Sequence, residues 1–245
     1  MRKELDLKLR LHTIKRHDTS EGWEFARPYL WTIFFKIDGS CITITDNFRL
    51  EGKAKFHFGP GSHGNLGITK LDGKSTIRIP SKVGEWNTRL TPLIVPHFES
   101  KTNAVAGIIT VLMEKNNVSK AGAEAGHQTL NRKVEEKLNS LIAGFDPRKL
   151  DLDNLEASIF DYFKSESGSY ASEIKEAVTD AVKNNQSLVR NIMSLVSADN
   201  MIGYEIWNFS LDEIANKEGH INFSKRWTDS RLGDWEIFGE AGEMV

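Results

Sequence analysis

The chain has 245 residues, 39% hydrophobic and 27% charged, with a formal net charge of −2. That length suffices for one large domain or two small ones, and the near-balance of charge excludes the electrostatic footprint of a nucleic-acid-binding protein. The single cysteine, Cys41, excludes an internal disulfide framework; its place in the alternating segment Cys41–Thr45 is that of a small buried thiol.

The N-terminal stretch MRKELDLKLRLHTIKRH alternates basic and apolar residues. It lacks the apolar core and small-residue cleavage site of a signal peptide. No apolar run approaches the roughly 20 residues of a membrane span. The default expectation is a cytoplasmic protein; a peripheral membrane location, or export by a route that needs no signal peptide, stays open. Leu5, Leu7, Leu9 and Leu11 recur at every second position, the period of a strand with one buried face. Arg16–Glu24 is a polar loop. The run Leu30–Ile37, entered through Pro28-Tyr29 and closed by Asp38-Gly39, is too short for a typical helix. Rich in aromatic and β-branched residues, it predicts a strand buried on both faces in the middle of a sandwich.

Further strands are expected at Cys41–Thr45, at Glu51–Phe58 with Ala54, Phe56 and Phe58 on one face, at Thr76–Ile79 and at Ala104–Met113. Gly59–Gly67 is a glycine-rich loop, and Asn87–Val95 reads as irregular around Pro92. The period then changes. Leu130, Val134, Leu138, Leu141 and Ile142 predict an amphipathic helix over His127–Ala143, stopped by Gly144 and Pro147. Helices are also expected from Leu155 to Phe163 and from about Ser169 to Val196. The small residues Ala121–Gly126 read as a mobile junction. Strand signals return at Gly203–Phe209 and Trp235–Phe238, with a short helix or turn at Ser210–Ala215.

The order is strands, helices, strands. An insertion into one loop of a sandwich explains it more simply than a domain break. The expected fold is thus mostly β with an α-helical insertion, an α+β class. Residues 1–117 and 198–245 form an antiparallel sandwich, and 118–197 form a bundle of about three helices.

Two segments resemble the C2 domain, a calcium- and phospholipid-binding sandwich. In that family a loop ending in Ser-Asp-Pro-Tyr feeds a core strand; here Ala26-Arg27-Pro28-Tyr29-Leu30 stands in that place. Later in the family a strand closing in Asp-x-Asp leads to a loop with Asp, then Ile-Gly and an amphipathic strand. Val111–Asn116 looks like the first part, and Asp199-Asn200-Met201-Ile202-Gly203 with Tyr204–Ile214 looks like the second. The resemblance implies an antiparallel sandwich whose loop tips bind calcium and anionic lipid. Calcium takes six to eight oxygens from flexible loops. The candidate ligands on this alignment are Asp18, Glu21 and Glu24, then Asp46 with Asn47, then Glu114, Asn116, Asp199 and Asn200. Arg27 stands where the family has a ligand aspartate, and Asn116 and Asn200 are neutral where carboxylates would be expected.

Gly59-Pro60-Gly61-Ser62-His63-Gly64 has the form of a dinucleotide motif, but strands rather than a strand and a helix flank it. It reads as a structural loop whose glycines take positive φ. The seven histidines show no zinc spacing, and no strand-to-helix nucleophile turn accompanies Ser62-His63. Trp23, at a loop tip, suits either a membrane interface or the end of the core. The expected role is non-enzymatic. The module associates with an anionic lipid surface or a protein partner through the loop end carrying Trp23, Arg27 and the helices, with calcium as an assisting ion. The alternative is an exported pore-forming toxin or effector whose helices rearrange on membranes, and a homo-oligomer stays open.

Overall fold

The computed structural model describes residues 4–18, 25–68, 70–97, 100–116, 118–145, 200–229 and 232–244. The leucine alternation opens a long strand, β1 (Leu5–Asp18). Its buried positions are Leu5, Leu7, Leu9 and Leu11, then Ile14 and Arg16. The switch from odd to even numbers has a local cause. The pairing with β15 (Gly233–Glu243) carries a bulge between Leu11 and Thr13, and one extra residue exchanges the two faces of a strand.

Two antiparallel sheets are built around this start. In the first, β14 (His220–Asp229) pairs with β15, and β15 with β1. The other edge of β1 is shared by β8 (Ser75–Arg78) and β9 (Glu85–Leu90), which α1 (Ser81–Gly84) joins. The second sheet runs β13 (Asn200–Ser210), β12 (Val105–Glu114), β3 (Pro28–Ile37), β6 (Lys55–Phe58). Short pairs decorate the ends: β2 (Phe25–Ala26) with β7 (Leu71–Asp72), β4 (Ile42–Ile44) with β5 (Leu50–Gly52), and β10 (Leu93–Val95) with β11 (Ser100–Thr102).

Every residue of β3 and β12 is buried, and both faces are accounted for. Leu30, Phe34, Ile108 and Leu112 pack against Leu7, Leu9, Leu11, Trp235 and Ile237 of the first sheet. Tyr29, Trp31, Ile33, Ile109, Val111 and Met113 pack against Ala123, Leu130 and Val134 of α2 (Lys120–Ala143). The layers are therefore sheet, sheet, helix, and a β-rich α+β class describes them. Strand β3 is two-sided as its composition predicts; the cover on its second face is a helix.

The chain leaves β12 at Glu114 and returns in β13 at Asn200, and those two residues are register partners. The strands thus close up on either side of the intervening segment. Near β13, Ser210 caps α3 (Leu211–Asn216) with a full capping box: it accepts from Glu213 N, while the Glu213 carboxylate accepts from Ser210 N. At this same end of the second sheet, away from Glu114 and Asn200, Lys36 Nζ donates to Asp38 Oδ2 (2.7 Å), Ser40 Oγ (2.9 Å) and the Arg89 carbonyl (2.6 Å). This buried knot ties β3 to β9 across the two sheets.

Several expectations are corrected. Glu51–Phe58 is not one strand: Gly52, at φ 123°, breaks it into β5 and β6. Asn87–Val95 is not irregular but holds the end of β9 and all of β10. Strand β14 lies in a stretch that carried no strand expectation. Helix α2 starts at Lys120 rather than His127, so Ala121–Gly126 is its first turns and not a loose junction. Ser119 caps it by accepting from Gly122 N. The helices expected at Leu155–Phe163 and Ser169–Val196 lie outside the described residues.

Candidate functional site

The end of the second sheet where β3 begins and β12 finishes gathers most of the polar residues of interest. Pro28 is opposite Glu114 in the register, and Lys115 N donates to the Arg27 carbonyl at 2.9 Å. The exit of β12 is thereby tied to the approach to β3, and α2 starts a few residues on. The β2–β7 pair closes the rim from the side of the first sheet.

The Gly59–Gly67 loop is pinned over this end. Asn65 does most of the pinning: its Oδ1 accepts from Leu30 N (3.2 Å), and its Nδ2 donates to the carbonyls of Leu30 (2.6 Å) and Pro60 (2.7 Å). Trp31 Nε1 donates to the Gly61 carbonyl at 2.8 Å, and Gly61 N donates to Glu124 Oε2 of α2 at 3.0 Å. Gly61 lies so close to the His127 ring that any Cβ would collide with it. Gly64 and Gly67 take φ 79° and 77°, the left-handed region in which glycine costs least. Held this way, the loop sets His63 edge-on against the Tyr29 ring, with centroids 4.7 Å apart.

Between loop, β3 and α2 lies a cavity of about 70 Å³ lined by Arg27, His63, Gly64, Lys115 and Lys120 among others. Arg27 and Lys120 are exposed and Lys115 is half-buried. Among the described residues no carboxylate is within ion-pair distance of these three cations. Beside the cavity Phe25 is 37% exposed. The Arg27 guanidinium lies 5.4 Å from its ring centroid and Lys70 Nζ lies 4.5 Å from it. The nearby acids Asp72 and Asp18 face cations of their own, Lys70 at 3.2 Å and Lys74 at 3.6 Å.

The residues proposed as calcium ligands fall in different places. Glu114 is 4% exposed. Its charge acts on Arg16, whose guanidinium sits 5.3 Å from the Trp235 ring centroid between the sheets. Burial lowers the Arg16 pKa, and the negative charges of Glu114 and Asp18 oppose that shift. Glu114 therefore points into the protein and not to a loop tip. Asp46 sits in the β4–β5 turn at the opposite end of β3, 3.7 Å from His97 Nε2, and is not brought to Glu114. Asp18, Arg27, Asn116 and the backbone of Asn200 share the first end. Glu21, Trp23, Glu24 and Asp199 lie outside the described residues. Among the described residues no three His, Cys, Asp or Glu side chains form a group placed to hold a metal ion, and no helix is long and apolar enough to cross a membrane.

Of the cavity's cations the sequence singled out Arg27 alone. Lys115 and Lys120 belong to separate elements, and their approach to Arg27 is a product of the fold. The available signal was weak: Lys115 directly follows a two-sided strand, and Lys120 directly follows a Ser cap. His63, whose sequence setting offers neither zinc spacing nor a nucleophile turn, lines the same cavity as these cations.

Comparison with protein-family models, with curated proteins and with solved structures finds no match in any of the three.

Proposed function

We propose that the chain is a non-enzymatic binding protein, a C2-like module that docks on an anionic membrane surface through the end described above. The observation that carries the reading is the convergence of Arg27, Lys115 and Lys120 with exposed Phe25, whose ring is flanked by Arg27 and Lys70. Each basic residue held at an anionic leaflet contributes about 1 kcal/mol. The three cations, which have no carboxylate partner among the described residues, thus supply about 3 kcal/mol, the scale of reversible attachment, and Phe25 adds apolar contact at the interface. The chain departs towards α2 and returns at Asn200 from the same end, which makes the insertion the specificity element beside the docking surface. Three cations and an imidazole around one small cavity suit the holding of an anion better than acid–base chemistry.

Vesicle co-sedimentation tests the reading. The protein is expected to pellet with phosphatidylserine-containing vesicles, to stay in solution with phosphatidylcholine alone, and to be released by raised ionic strength as the charges are screened. Parallel arms with calcium and with chelator measure any assistance from the ion. Dye release from the same vesicles separates docking from perforation by rearranged helices. Equal pelleting with neutral and anionic vesicles, or none with either, would overturn the proposal.

A further inference from the structure

The cavity lined by Arg27, His63, Lys115 and Lys120 has a size and charge more specific than a general attraction to negative surfaces requires. At about 70 Å³ it is well below the roughly 300 Å³ at which pockets for drug-sized ligands or nucleotides begin. It has room for one small group, and Pro28 and Ile68 border it along with the cations. Three fixed positive charges border it, Arg27 from the approach to β3 and Lys115 and Lys120 from the β12–α2 connection, and among the described residues none has a carboxylate partner. A single carboxylate or phosphodiester would cancel one of those charges.

A phosphate monoester carries about −1.5 to −2 at pH 7 and presents three strong acceptor oxygens. Arg27 offers a planar fork that matches two of those oxygens, while Lys115 and Lys120 offer compact ammonium donors. Gly64, which carries no side chain, also borders the cavity. Arg27 also stands where the resemblance to the C2 domain places a ligand aspartate. The charge at this tip is the reverse of a calcium site.

We infer that this cavity is a subsite for a phosphate monoester group, carried either on a lipid headgroup or on a small soluble molecule. The inference deepens the docking proposal by naming the group this end recognises, and it rests on that proposal only for the lipid source.

The test uses the full chain in two arms. In solution, glycerol 3-phosphate and inorganic phosphate are titrated calorimetrically at constant ionic strength. On membranes, vesicles containing phosphatidic acid are compared with phosphatidylserine vesicles of equal surface charge. Lys115→Gln combined with Lys120→Gln is compared with Lys74→Gln, which changes a lysine at the same end that does not line the cavity. Thermal melts matching the parent confirm that each variant folds.

Saturable binding of glycerol 3-phosphate is expected, with phosphatidic acid preferred over phosphatidylserine. The double variant should weaken both by about tenfold or more, given the usual strength of hydrogen bonds to charged groups, and Lys74→Gln should leave both unchanged. If both vesicle types bind equally and the double variant weakens both equally, docking stands and the subsite falls; if the double variant behaves as Lys74→Gln does, docking through this end and the subsite fall together. If glycerol 3-phosphate binds and no vesicle does, the subsite stands for a soluble ligand and membrane docking falls. If no titration saturates and no vesicle preference exists, the inference is wrong.

Discussion

Replacing Asp38 tests how the two sheets are held in register. Asp38 is 0% exposed and takes four hydrogen bonds on its two oxygens: from Lys36 Nζ (2.7 Å), Ser40 Oγ (2.7 Å), Ser40 N (3.1 Å) and Thr91 N (2.9 Å). Lys36 is 4% exposed and keeps only Ser40 Oγ and the Arg89 carbonyl when the carboxylate is gone. Asp38→Ala therefore strands a buried ammonium and two backbone N–H groups. Breaking a buried pair from one side costs about 3–5 kcal/mol. For a chain of this length each kcal/mol moves the melting temperature by about 2–4 °C, so a fall of about 6–20 °C is expected. Lys36→Met added to Asp38→Ala removes the stranded charge and should recover part of the loss, a coupling of about 0.5–3 kcal/mol. Burial raises the Asp38 pKa, but the bonds from Lys36, Ser40 and Thr91 outweigh it and hold the carboxyl below its ordinary value. A depressed carboxylate contributes stability that is present above the unfolded value of about 3.9 and lost as pH falls through the lower folded value. The gap between parent and Asp38→Ala should therefore hold constant from neutral pH to about 5 and close only in stronger acid. Melting curves across that range give the answer. A parent-like melt for Asp38→Ala, or a double variant no better than the single, would refute the reasoning.

Other outcomes follow from the contacts around α2 and the sheet edges. His127 is 1% exposed, stacks on Trp31, and burial pushes its pKa down to about 4. Its neutral form is the folded one, so stability should decline by about 1.4 kcal/mol per pH unit below the unfolded value of about 6.5. His127→Phe should flatten melts between neutral pH and about 4.5. Asn65→Ala leaves the buried Leu30 N–H without its acceptor and should cost about 1–3 kcal/mol in urea unfolding. Gly203 is packed against the Trp227 ring with no space for a Cβ, so Gly203→Ala should destabilise by about 1–3 kcal/mol, read from the same unfolding curves.

What the sequence made legible were elements whose surroundings impose a simple pattern. Strands β3 and β12 stand out because burial on both faces writes a continuous apolar run. The start of β1 stands out because one buried face writes alternation, and its second half is obscured by a bulge that no composition signal marks. Edge strands leave little trace. Strand β14 carries Lys225 and Arg226 in its middle, where one ladder edge is open and only Ile221, Phe223 and Trp227 pack on the core. Strand β9 hides in the same way behind Asn87 and Arg89. The first turns of α2 show no apolar stripe, since Ala123 and Gly126 are buried by closeness to the sheet rather than by bulk. At the candidate site the resemblance to a calcium-binding family directed attention to acids. Glu114 is turned towards Arg16 and Asp46 lies at the far end, while the basic group forms only when Arg27 and the Lys115–Lys120 segment are folded together.

Hydrogen–deuterium exchange on vesicle-bound protein tests most directly which end meets the membrane. On anionic vesicles, amides in residues 25–27, 63–68 and 118–120 should gain protection, and those of the β4–β5 turn around Asp46 should exchange as they do in solution. Protection at the β4–β5 turn with no change at the basic end would contradict the account.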